Sequence, residues 1–166
     1  MTELDRLIDL MERVHGGDAW HGPSVLGALE GVTASMAAAR PAEGAHSIWE
    51  IVAHLTGWRR EVARRAGGAN ARDPVEGDWP VVPDPTDGNW SATLERLQQS
   101  HAELVAAVRA LKPDQLERHV GDDRDPALGT GTSLYVTLHG LVHHDAYHAG
   151  QISLLKRAAQ ARTTKR

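Results

Sequence analysis

The sequence predicts an all-α protein, a single-domain four-helix bundle that takes in residues 1–166. Three observations carry that reading. Apolar residues return every three or four positions along most of the chain, the spacing that gathers them on one side of a helix. No stretch alternates with the two-residue period of a strand. A proline-rich connection over residues 69–89 is far longer than antiparallel neighbours need, and its length predicts a crossover between two parallel helices.

The first bundle helix is expected in two pieces. Leu4, Leu7, Met11 and Val14 define one, which stops at Gly16-Gly17. Val25, Leu29, Val32 and Met36 define a shorter piece between Pro23 and Pro41, and the HGGDAWHGPS segment breaks the two apart. The second helix opens at Ser47, which with Glu50 forms a capping box: each side chain satisfies an orphan N–H of the first turn. Its apolar face runs through Ile48, Ile51, Val52, Leu55, Trp58 and Val62 and closes at Gly67-Gly68. Residues 69–89 then hold four prolines and no usable period.

Leu94, Leu97, His101, Leu104, Val108 and Leu111 mark the third helix, the most regular of the set. The fourth starts near Ser133 and carries Leu134, Leu138, Leu141, Asp145, His148, Ile152, Leu155 and Ala159 in one register. Both patterns are bundle seams of the 3.5-residue kind. Between them LKPDQLERHVGDDRDPALGTGT reads as turn-rich loop.

Composition narrows the function. At 166 residues, 41% hydrophobic and 24% charged, the chain has the make-up of a globular protein with a real core. A net charge of −4 supplies no basic footprint for nucleic acid. With no cysteine there is no disulfide, no thiolate zinc site and no cysteine nucleophile. The opening MTELDRLIDLMERVH, with Glu3, Asp5, Asp9 and Glu12, is no signal peptide, and no apolar run approaches a membrane span. A cytoplasmic location is the expectation. Ten histidines are a heavy load, and four of them fall within residues 138–149.

His144 and His148 are four apart on the fourth helix, so both face one side and their ring nitrogens can share a metal ion. His148 lies on the seam and His144 one position off it. Burying two imidazoles without partners costs on the order of 1–3 kcal/mol each, and a shared cation removes that cost. The same spacing also arises by chance in a histidine-rich chain. His139 and His143 form a rival pair, with His139 at the seam's edge and His143 turned away. A third ligand has to come from another helix. His54, beside Ile51 and Leu55, and His101, on the third seam, are both candidates, and periodicity does not choose between them. His54 also has a plainer reading, a core-edge histidine bonded to a backbone carbonyl.

Other motifs are weaker. Glu12-x-x-His15 and Glu43-x-x-His46 match a di-iron carboxylate pattern in letters. However, Glu43 follows Pro41 in a loop, and the fourth helix offers only Asp145 as a carboxylate. The GTGTS run lacks the lysine of a phosphate loop and reads as a flexible lead into a helix cap. No serine sits in a nucleophile-elbow setting.

HDAYHAGQISLLKR resembles the signature helix of the DinB/YfiT-like superfamily, where an H-x-x-x-H pair is followed closely by G-Q-I. GAHSIWEIVAHLTGWR is similar to that family's second helix, which carries a further histidine in an SI-x-E-I-x-x-H-L pattern. WPVVPDPTDGNW resembles the crossover loop of one branch. The resemblance implies His54, His144 and His148 as metal ligands and leaves out His101, His139 and His143. It implies an up-down-down-up bundle with the crossover between helices two and three. It further implies a homodimer and one divalent ion per chain: zinc first, with nickel, iron or manganese as alternatives.

Related activities include thiol-dependent S-transfer, so the resemblance points to a small thiol cosubstrate and an electrophile as partners, with no catalytic residue identified. Three neutral imidazoles leave an ion with an open position, as catalytic zinc sites do. Asp145, Tyr147 and Gln151 are candidates to fix imidazole tautomers or hold substrate. The expectation is therefore a metal-dependent enzyme, a thiol S-transferase. A metal-dependent hydrolase is the alternative, and a non-catalytic, stress-related bundle with a structural ion is the third reading. That last reading needs a fourth protein ligand, for which Asp145 is the one candidate.

Overall fold

Short polar side chains start most of the helices. Thr2 and Glu3–Gly16 (α1) begin with a capping box to Asp5, and Ser47 and Ile48–Ala66 (α4) with the predicted box to Glu50. Ser24 caps Val25–Leu29 (α2), Thr33 caps Ala34–Ala38 (α3) and Thr86 caps Asp87–Arg109 (α5). The last helix, Leu134–Thr163 (α6), follows Ser133, whose hydroxyl accepts from the Val136 N–H. The computed structural model describes residues 1–41, 43–122 and 132–163, with side chains through 161. Among them the chain is helical and holds no strand, only the isolated bridges Ala71–Asp122 and His119–Ser133.

Three boundaries differ from the sequence reading. The short piece from Val25 to Met36 is two helices, because Gly31 takes φ +70° and turns the chain before Thr33 caps again. α5 begins at Asp87, inside the stretch expected to be crossover, because Thr86 accepts from the Asn89 N–H and starts a turn ahead of the apolar period. The turn-rich 111–132 segment contains a 3₁₀ turn at Pro113–Glu117. Part of that segment, including residues 129–131 of the GTGTS lead, lies outside the described residues.

Every seam position foreseen on α6, from Leu134 to Ala159, is buried. The core has two apolar halves. One joins α1 to Val62, Leu104, Val108, Leu134 and Leu138. The other joins α2 and α3 to Ile48, Trp49, Ile51, Leu97, Ile152 and Leu155. Near the junction of these halves each long helix carries buried polar side chains: His15, His54, Arg59, His101, Asp145 and His148.

Contacts between α4 and α5 advance together, from Trp49–Thr93 (3.0 Å) to Arg60–Glu103 (3.3 Å). Between α4 and α6 they run in opposite order. Ile51 shares a recess with Leu155, His54 meets His144 and His148, and Val62 shares another recess with Leu141. α1 touches α6 at Glu3–His139 (3.3 Å) and α5 at Glu12–His101 (3.0 Å). The middle of the helical core is thus a polar layer, and His54, His144 and His148 converge there.

Candidate metal centre

His54 is placed by α4 and by the crossover loop. Its Nδ1–H donates to the Asp78 carbonyl at 2.7 Å. A carbonyl only accepts, so the proton sits on Nδ1 and Nε2 presents a lone pair. The plainer reading of His54 is therefore right about one nitrogen, while the other faces His144, with Nε2 to Nε2 at 2.8 Å. On α6, His148 Nδ1–H donates to Gln151 Oε1 at 2.7 Å, which likewise leaves Nε2 free. One nitrogen from each of His54, His144 and His148 lies within 4.8 Å of the other two, and no carboxylate belongs to this group.

These residues fit a divalent cation on their own chemistry. Two imidazole nitrogens 2.8 Å apart repel unless a proton or a metal ion lies between them. The charged imidazolium form is disfavoured at two of the three rings. Burial, with the neighbouring His144 behind it, pushes His148 down to about 4. Burial also lowers His54, against the pull of the Asp78 carbonyl. Neutral nitrogens with converging lone pairs are what a borderline-soft metal ion takes as ligands. His144 Nδ1 is buried without a hydrogen-bond partner and lies 3.8 Å from Asp145 Oδ1, which also lacks one.

The crossover holds the site from above. Trp79 lies flat between two imidazoles, 4.1 Å from the His54 ring and 3.5 Å from that of His46. Asp78 is anchored by the Trp58 indole, whose Nε1–H donates to its carboxylate at 2.7 Å.

Below the site, the fully buried Arg59 grips Asp145 Oδ2 with Nε at 3.0 Å and Nη2 at 2.7 Å. Burial alone would raise the Asp145 carboxyl, but the Arg59 guanidinium and His144 together outweigh it and hold the group below its ordinary range. Arg59 also donates to His15 Nδ1 at 3.2 Å, and the His15 ring stacks on His101 at 3.9 Å.

Of the three residues considered for support of the imidazoles, Gln151 accepts from His148, and Asp145 gives Oδ2 to Arg59 while its Oδ1 lies 3.8 Å from His144 Nδ1. Tyr147 is mostly exposed, and its ring meets His148 edge-on at 5.2 Å. His101 turns to Glu12, His139 lies against Glu3, and His143 is exposed. The Glu12-x-x-His15 motif serves this α1–α5 contact. Sequence reasoning missed Arg59, Asp78, Trp79 and His46. Arg59 had a signal: it interrupts the apolar stripe of α4 just as Asp145 interrupts that of α6. The loop residues had none, since an aperiodic segment does not reveal which carbonyl or indole meets a helix.

Two recesses open at the site. The smaller, about 350 Å³, includes Trp58, Val62, Val136, Gly140 and Leu141 in its wall. The larger, about 690 Å³, includes His46, Trp79, Tyr147, Gln151 and Leu155. His54 and His144 line both.

Among known proteins, the family model described as the DinB superfamily matches residues 20–152, a span that contains all three converging histidines. No curated protein and no solved structure matches the chain.

Proposed function

The chain belongs to the DinB superfamily, and from that premise we propose that it is a metal-dependent thiol S-transferase with His54, His144 and His148 as ligands. One observation supports this most: three imidazole nitrogens converge while the nearest buried carboxylate, Asp145, is held by Arg59. A closed structural site needs a fourth protein ligand. Asp145 is not placed as one: its Oδ2 is held by Arg59, and its Oδ1 lies 3.8 Å from His144 Nδ1, not from the Nε2 that meets His54.

A divalent ion at these nitrogens supplies positive charge that lowers a thiol's pKa and stabilises the thiolate. The protein's own residues do the rest. Asp78 and Gln151 hold the protons of His54 and His148 on Nδ1, so that Nε2 stays a donor to the ion. Trp79 covers one face of the His54 ring. In the transfer, the thiol proton leaves to solvent, sulfur bonds to a carbon of the electrophile, and that carbon's leaving group departs with its bonding pair.

Zinc suits the all-nitrogen set, at one ion per chain. A cytoplasmic homodimer built on an up-down-down-up bundle is the setting we propose. The parallel order of the α4–α5 contacts and the opposed order of the α4–α6 contacts support that path. Cobalt substitution tests the reading. Adding a small thiol to the cobalt protein at neutral pH should raise a sulfur-to-metal charge-transfer band in the near ultraviolet, absent in His148→Ala. Stoichiometric cobalt with a spectrum indifferent to thiols would refute S-transfer.

A further inference from the structure

The smaller recess has a chemistry distinct from that of its neighbour. The Trp58 indole, together with Val62 on α4 and Val136 and Leu141 on α6, gives it an apolar wall. Several of the polar groups that reach it already hold hydrogen bonds. Trp58 Nε1–H donates to Asp78, and the Thr137 hydroxyl donates to the Ser133 carbonyl at 3.0 Å. Arg65, 5.5 Å over the Trp58 ring, donates to Glu61 at 2.9 Å and to the Arg72 carbonyl at 3.0 Å. A charged ligand entering here would lose its water and compete with bonds already made, whereas an apolar one only sheds ordered water. The larger recess differs, with His46, Tyr147 and Gln151 on its wall.

We propose that the recess of about 350 Å³ binds the uncharged aromatic portion of the second substrate, packed on the Trp58 indole, while the larger recess receives the polar thiol. The volume is at the small end for ligand sites, room for a substituted single ring. Stacking on an indole favours such a ring over an aliphatic chain. The two ligands then meet at His54 and His144, the only residues that line both recesses as described. What the pocket serves rests on the S-transferase reading, but whether it binds an aromatic ring does not.

The test is binding, with nitrobenzene as the probe, titrated into metal-free and zinc-loaded protein and followed by proton–nitrogen correlation spectra. The Trp58 indole N–H and the Gly140 and Leu141 amides should shift saturably in both forms. Gly140→Leu blocks the recess without strain: a Cβ added there meets nothing within 4 Å, and leucine is the better helix former. It should weaken nitrobenzene at least tenfold while zinc affinity stays within about twofold. Val136→Phe is the second blocking variant. His148→Ala lies outside this recess and should lose zinc yet keep nitrobenzene. Wild-type spectra without saturable shifts, shifts centred on Tyr147 and Leu154 instead, or unchanged binding in both blocking variants would overturn the proposal. Nitrobenzene bound normally by a protein that never takes up zinc would leave the pocket standing and sink the metal-dependent reading.

Discussion

Arg59 is a cation with no access to solvent, and its value lies in what it neutralises. Truncating one member of a buried ion pair leaves the other charge in a low dielectric, at a cost of about 3–5 kcal/mol. Arg59→Met should therefore destabilise the metal-free protein by about that amount in urea melts, and a loss under 1 kcal/mol would mean that Asp145 finds water. His15, also on this network, is a proton-refusing base. Burial first, and then the Arg59 charge, push it down to about 3. Between that value and the free histidine value near 6.5 the unfolded chain binds a proton that the native chain does not, so stability falls as pH falls through this window. The slope from this residue is at most ~1.4 kcal/mol per pH unit. His15→Gln, which keeps an acceptor for Arg59, should flatten the decline in melting temperature between pH 6.5 and 4.5, and an unchanged slope would assign it to other groups. At this scale the sequence was legible wherever a polar letter broke an apolar period, as at Asp145 and His148.

Among the elements, the crossover is the one whose role exceeds its regularity. Through the Asp78 carbonyl and the Trp79 ring it fixes both the tautomer and the plane of His54. Groups that orient metal ligands are typically worth 10–100-fold in affinity. Trp79→Ala should accordingly weaken zinc by about tenfold or more in a competition titration, with the circular dichroism of the bundle unchanged. An unaltered affinity would reduce the stack to surface packing. The period of α6 survives intact over seven turns, so its buried face could be read directly, whereas the break at Gly31 depends on one residue's backbone angle and left the apolar spacing around it almost undisturbed. The early start of α5 at Asp87 was hidden because a polar cap, not an apolar repeat, begins that helix.

Across the whole molecule, two apolar halves flank the polar layer, and each contains large side chains removed from water. Neither half needs an ion to hold it. A chelator should lower the melting temperature of metal-loaded protein, since a ligand that binds only the folded state contributes ~3–4 kcal/mol at a hundred- to thousand-fold excess over its dissociation constant. The chain should nevertheless remain helical at room temperature, and an apo form without helical circular dichroism would make the ion a determinant of the fold. No helix of the described residues is long and apolar enough to cross a membrane. The meeting of His54 with His144 also has a meaning in chain statistics. The two positions are 90 residues apart, so an ion gripping both closes a very large loop, whereas His144 and His148 share one helical turn and close none. In a denatured chain, closing a loop of that order costs about 4–5 kcal/mol of entropy. An ion bound by both His54 and His144 would act as a removable crosslink between distant parts of the chain.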